Sequence, residues 1–245
     1  MIVTIKRQLS PQSEPYWESF NYEGPEDNTV AGVLAILNYR DDIYDIDGKE
    51  SRRINWECSC MQGLCGGCAM VINGSPALAC ETFISKLMNK KQRDGKKEFR
   101  LTLEPLRKFN VVSDLVVDRS VIFDRSREAE IYLERYEKSS PKEYAHQYQA
   151  AKCLKCGLCL EVCPNYVKGD RFLGAPAAND CYLVASQSGG DTERIKKIYE
   201  EVFASGCSKS MSCMDVCPMN IPTLSSMAKM NSGAVNRDLK HKKTK

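Results

Sequence analysis

An α+β fold in two domains is expected from three features of the sequence. The first 105 residues carry period-two alternation and turn dipeptides, the marks of strands and hairpins. Residues 106–245 carry long amphipathic stretches of helical period. Twelve of the thirteen cysteines fall in three groups, at 58–80, 153–163 and 207–217, one group in the first part and two in the second.

The elements follow in order. MIVTI reads as an edge or hairpin strand. DNTVAGVLAILNYRDD reads as a short helix capped by Asn28 or Thr29, with Val33, Leu34, Ile36 and Leu37 inward. In AMVINGSPALA, Asn73-Gly74 is a two-residue hairpin signal between strand-like runs. A second turn is expected at Asp94-Gly95, then a strand ending near Pro105. Seven basic residues lie between Lys86 and Arg100, either a solvated hairpin or a docking surface for an acidic partner. After Pro105, VVSDLVVDRSVIFDRSREAEIYLERY reads as helical, with Ser113 as a cap. DTERIKKIYEEVFASG reads as a helix with Gly206 at its C′ position. The tail RDLKHKKTK is basic and reads as a solvated end that could touch anionic headgroups.

Bulk properties narrow the function. The 245 residues are ample for two small domains. A net charge of +3 makes no case for nucleic acid as a partner. No run approaches the ~20 apolar residues of a membrane span. The N-terminus has no apolar signal core and no twin arginine, so the chain is expected on the cytoplasmic side. An odd, clustered set of cysteines without an export signal argues against disulfides and for metal-binding thiolates.

The first group gives Cys60-x4-Cys65-x2-Cys68 and a distant Cys80, the spacing of a plant-type [2Fe–2S] cluster. Gly63, Gly66 and Gly67 would let backbone N–H groups approach the sulfurs. A four-cysteine zinc site is the competing reading, but such sites more often pair two C-x2–4-C knuckles. Cys58 is surplus and is read as a neighbouring free thiol. The second group, CLKCGLCLEVCP, is Cys153-x2-Cys156-x2-Cys159-x3-Cys163-Pro164, a full bacterial ferredoxin motif.

The third group, CSKSMSCMDVCP, repeats that motif with one omission: Ser210 stands where a cysteine is expected. In two-cluster ferredoxins the fourth cysteine of each motif serves the other cluster. One [4Fe–4S] cluster would then take Cys153, Cys156, Cys159 and Cys217. The other would take Cys163, Cys207 and Cys213 and lack a fourth thiolate. A hydroxyl is a poor iron ligand beside thiolates, so the expectation is a [3Fe–4S] cluster. The competing reading is a [4Fe–4S] cluster with serine or water at the open corner. Three clusters with no visible substrate pocket read as an electron wire, with no catalytic acid or base. His146 and His241 are read as structural or solvated, and Cys181 as a buried thiol.

These three motifs in this order, with CGGCAMVING, LEPLRKFNVVSDLVVDRS and RFLGAP, resemble the iron–sulfur subunits of succinate dehydrogenase and quinol:fumarate reductase over nearly the whole chain. The resemblance implies an N-terminal β-grasp plant-type ferredoxin domain over 1–105 and an all-α bacterial-ferredoxin-like domain over 106–245. It implies a flavoprotein partner carrying FAD and a membrane anchor of cytochrome b type binding quinone. The chain would be peripheral on the cytoplasmic face of a bacterial inner membrane. The [2Fe–2S] cluster would face the flavin and the [3Fe–4S] cluster the quinone. Ubiquinone-reducing members carry a tryptophan after the CP and a histidine after the first cysteine of the last motif. CPNYVKGD and CSKS have neither, which resembles the menaquinone-using members. A soluble ferredoxin-like carrier, or the iron–sulfur subunit of another flavoenzyme, shares the cysteine grammar. The two fused domains and Ser210 speak against them.

Overall fold

The computed structural model describes residues 1–93, 97–137, 141–187 and 192–232. The expected Asp94-Gly95 turn, the basic tail and His241 lie outside those residues. The chain divides into two compact units, Met1–Asp118 and Arg119–Lys245.

The first unit is a mixed β-sheet with one main helix. Strands β1 (Ile2–Arg7), β2 (Tyr16–Asn21), β5 (Ala69–Ile72), β6 (Ser75–Leu78) and β7 (Arg100–Glu104) form a five-stranded sheet in the order β2-β1-β7-β5-β6. β1 is a hairpin arm, as expected, but not an edge: it pairs antiparallel with β2 and parallel with β7. Its alternation puts Val3, Ile5 and Arg7 fully inside. Helix α1 (Val30–Tyr39) starts at Thr29, whose Oγ1 accepts the Gly32 N–H at 3.1 Å, and buries Val30, Val33, Leu34 and Leu37. Asn73 and Gly74 both take positive φ (47° and 82°), the type I′ geometry that joins β5 to β6. A small two-stranded sheet, β3 (Ile43–Tyr44) with β4 (Glu50–Ser51), precedes the first cysteines. Two short helices, α2 (Ile84–Leu87) and α3 (Lys90–Arg93), open the basic stretch, and the turn of the expected hairpin lies outside the described residues.

Residues 110–118 correct the sequence reading. They form a hairpin, β8 (Asn110–Ser113) with β9 (Val116–Asp118), and the helix begins only at α4 (Ser120–Glu128). Ser113 therefore caps no helix. The turn is set by Asp114, at φ 46° and fully buried. Its carboxylate accepts the N–H groups of Gln8 (3.1 Å) and Asn55 (2.8 Å), and lies 3.0 Å from Arg7 Nε. That Nε makes the ion pair without a hydrogen bond. The rest of the Arg7 guanidinium reaches Glu18 Oε2 (2.6 Å) and the carbonyls of Arg52 and Arg53. This one buried cation ties β1, β2, the hairpin and the strap at 52–55. The hairpin thus lies in the first unit, beyond the change of texture at Pro105.

The second unit is helical. Its centre is α7 (Gly174–Gln187), whose alanines and Cys181 let neighbours pack close. Around it stand α5 (Pro141–Ala151), α6 (Leu158–Val162), α8 (Thr192–Val202) and α10 (Thr223–Ser232). α8 stops at Val202, and a 3-10 turn over Ala204–Gly206 replaces the helical end expected at Gly206. Glu143 pairs with Lys229, and His146 Nε2 lies 3.1 Å from Ser226 Oγ, so α5 is fastened to α10. No helix among the described residues is long and apolar enough to cross a membrane.

Candidate metal centres

In the first unit, the β5–β6 hairpin brings the two ends of the first cysteine group together. Cys68 precedes β5 and Cys80 follows β6; Ala79 N–H donates to Cys68 O at 3.1 Å, and the two sulfurs lie 3.3 Å apart. Cys60 and Cys65 lie on the loop that precedes β5. Four thiols grouped in this way suit two irons, each taking two thiolates. The loop turns its amides onto the sulfurs: Gln62 and Leu64 donate to Cys60 (3.5 and 3.2 Å), Gly63 to Cys80 (3.2 Å) and Gly67 to Cys65 (3.4 Å). Those amides pull the Cys60 thiol down to about 7. Burial pushes Cys68 up to about 12, a cost that bound iron would offset. Cys58 is exposed.

Glycine is required at two of the three expected positions. Gly63 and Gly66 sit at φ 72° and 75°. A Cβ on Gly63 would also fall 2.7 Å from Glu81 Oε1. A Cβ on Gly67 would meet nothing nearer than 3.6 Å. Gly63→Ala is therefore expected to cost about 1–3 kcal/mol of local strain and to lower the visible absorbance per protein of the [2Fe–2S] chromophore. Gly67→Ala should leave that ratio near wild type.

In the second unit, Cys153, Cys156, Cys159 and Cys217 line one apolar cavity, closed by Pro176 and Ile221. Cys217 arrives from the third cysteine group, whereas Cys163 does not line this cavity. The apolar lining opposes bare thiolates: burial pushes Cys156 up to about 11 and Cys159 well above the ordinary thiol range. Ile221 N–H donates to Cys217 Sγ at 3.4 Å.

Cys163, Cys207 and Cys213 form a neighbouring set. Burial raises the Cys213 thiol, and the charges of Cys163 and Cys207 raise it further. The loop between Cys207 and Cys213 copies the backbone of the loop between Cys153 and Cys159. Lys155 and Gly157 have φ 53° and 88°; the matching Lys209 and Met211 have φ 60° and 64°. Each loop then enters a short helix, α6 in the first and α9 (Ser212–Asp215) in the second. Met211 holds a left-handed position that favours glycine, a strained choice for a side chain. Ser210 occupies the place of Cys156 and is exposed, its hydroxyl 3.4 Å from Ser212 Oγ. Among the described residues, no three or more His, Cys, Asp or Glu side chains are placed to hold one mononuclear ion.

Two charged features near these thiols carried no sequence signal. Arg119 is half-buried, and the negative charge of the Cys156 thiolate acts on it. Lys155, inside the motif, pairs with Asp180 of α7. Cys181 is buried, its thiol pushed up to about 12.

Comparison with known proteins adds to this geometry. Residues 2–124 match the family model of a 2Fe–2S iron–sulfur cluster binding domain, and residues 149–221 that of a 4Fe–4S dicluster domain. The succinate dehydrogenase iron–sulfur subunit of Bacillus subtilis is 31% identical over 238 residues, 93% of this chain and 89% of that one. The fumarate reductase iron–sulfur subunit of Wolinella succinogenes is 29% identical, over 89% of this chain and 90% of its own. A chain of the Mycobacterium smegmatis Sdh1 complex in the apo form shares the fold, with a TM-score of 0.69 at 19% identity, covering 96% of this chain and 95% of that one.

Proposed function

Because the chain belongs to the iron–sulfur subunits of the succinate dehydrogenase and fumarate reductase family, we propose that it relays single electrons between the FAD of a flavoprotein subunit and menaquinone at a membrane anchor. Electron transfer within such a complex is the family's activity; the ligand sets, the third cluster and the partners are this reading's own. The first unit is a β-grasp domain that holds a [2Fe–2S] cluster through Cys60, Cys65, Cys68 and Cys80. The second is a bacterial-ferredoxin-like domain. It holds a [4Fe–4S] cluster through Cys153, Cys156, Cys159 and Cys217, and a [3Fe–4S] cluster through Cys163, Cys207 and Cys213. The anchor, of cytochrome b type, keeps the chain on the cytoplasmic face of the membrane. The single observation that carries the reading is the cavity lined by three thiols of one motif and the fourth thiol of the other.

The clusters supply the one-electron chemistry when bound. The chain's own residues do the rest. The amides of Gln62, Gly63, Leu64 and Gly67 hold the thiolates of the first loop and stabilise negative charge on sulfur. Pro176 and Ile221 give the cavity of the second unit apolar walls. Met61 and Leu64, 44% and 59% exposed beside the first cysteine loop, offer an apolar face for the flavoprotein. Succinate oxidation and fumarate reduction would use the same relay in opposite directions.

The test is electron paramagnetic resonance on the anaerobically purified complex, oxidised and then stepwise reduced. A sharp signal in the oxidised state that disappears early in reduction, followed by a [2Fe–2S] signal, is expected. A silent oxidised sample from which two cubane signals grow would overturn the three-iron assignment.

A further inference from the structure

Lys155 stands inside the first motif of the second unit, between Cys153 and Cys156. It takes a left-handed turn, at φ 53°, and lines the cavity of the four thiols. Its ammonium reaches both carboxylate oxygens of Asp180, at 2.5 and 2.6 Å. The two side chains are 18% and 20% exposed, so water screens them poorly. Asp180 also takes the Ser126 hydroxyl from α4 at 3.4 Å, which fixes the carboxylate from a second side. The matching lysine of the other loop, Lys209, is exposed. A largely buried ion pair gains little net stability, since desolvation offsets its attraction. Its place beside a redox loop calls for another explanation.

We propose that the Lys155–Asp180 pair sets the reduction potential of the cluster carried by Cys153, Cys156, Cys159 and Cys217. This rests on reading that cavity as a [4Fe–4S] site. Reduction adds one negative charge to the cluster and its thiolates. A nearby cation favours the reduced form and a nearby anion disfavours it. Lys155 alone would pull the potential up; Asp180, gripping the same ammonium, cancels most of that pull. Lys155 lines the same cavity as the four thiols, so the charges of the pair lie beside the cluster they would tune. In a relay, the central carrier's potential sets the height of the step that every electron must climb. A balanced pair holds that height fixed while keeping the loop fastened to α7.

The balance gives a signature that a purely mechanical role does not. Asp180→Asn should raise the midpoint potential of the [4Fe–4S] cluster, and Lys155→Met should lower it. Each should change the oxidised-to-reduced ratio at a fixed potential by about tenfold, about 59 mV for a one-electron couple. The double variant should return close to wild type. Lys155→Arg, which keeps the charge, should not move the potential. The measurement is a redox titration of the intact complex followed by electron paramagnetic resonance. Shifts of the same sign in both single variants would mean that loosening the loop, not charge, is responsible, and would overturn the proposal; so would potentials that do not move. If Asp180→Asn fails to retain the cluster, Lys155→Met against the double variant decides, with the double variant expected at the higher potential. A wild-type complex with no cubane signal at all would instead overturn the cluster assignment.

Discussion

Ser210→Cys is expected to add a fourth iron to the three-iron cluster proposed for Cys163, Cys207 and Cys213. The backbone there is already that of a cubane loop. Lys209 and Met211 take the same left-handed turns as Lys155 and Gly157, and the chain enters α9 as it enters α6. What is missing is one soft ligand at the position that matches Cys156. A thiolate there should close the open corner, because iron in a sulfide cluster takes thiolate far more readily than a serine hydroxyl. Iron analysis should rise by one per chain. The oxidised-state signal should vanish, and a cubane signal should appear on reduction. The potential should fall, and electron delivery to quinone should slow if this cluster is the terminal donor. Unchanged iron content and spectra would mean that position 210 does not face the cluster.

The strongest signals in the sequence were local ones. The Thr29 cap and the Asn73-Gly74 turn each depend on a few adjacent residues, and each has the expected local geometry in the structure. The stretch from Asn110 to Asp118 failed for the opposite reason. VVSDLVV fits an amphipathic helix and a hairpin about equally well by pattern. The choice is made by Asp114, which turns left-handed to meet Arg7, more than a hundred residues earlier. Arg7 itself carries no motif at the end of its strand, yet it is fully buried. The same limit hid Lys155. Its neighbours in sequence mark a cluster loop, but its partner, Asp180, comes from α7 and carries no motif. Glycine in the first loop was over-read: Gly67 has an ordinary φ and room for a side chain, and only Gly63 and Gly66 need positive φ.

Asp114→Ala is expected to destabilise the first unit by about 3 kcal/mol, the low end of the range for breaking a buried ion pair. Glu18 would still hold one end of the guanidinium at 2.6 Å, which keeps the cost from rising further. Three losses combine: Arg7 Nε faces no carboxylate, the N–H groups of Gln8 and Asn55 lose their acceptor, and alanine must adopt φ 46°. Aspartate and asparagine tolerate that left-handed turn better than alanine. Asp114→Asn keeps an acceptor and the turn while removing the charge, so it should cost less. Urea unfolding of the intact chain followed by circular dichroism measures both. The position of the network predicts which cofactor suffers first. The strap at 52–55 is held by Arg7 and Asp114 and runs directly into Cys58 and Cys60. Loosening it should release the [2Fe–2S] cluster, seen as lost visible absorbance, while the cubane signal of the second unit persists. Loss of all clusters together would mean that the strap does not hold the first cysteine in place.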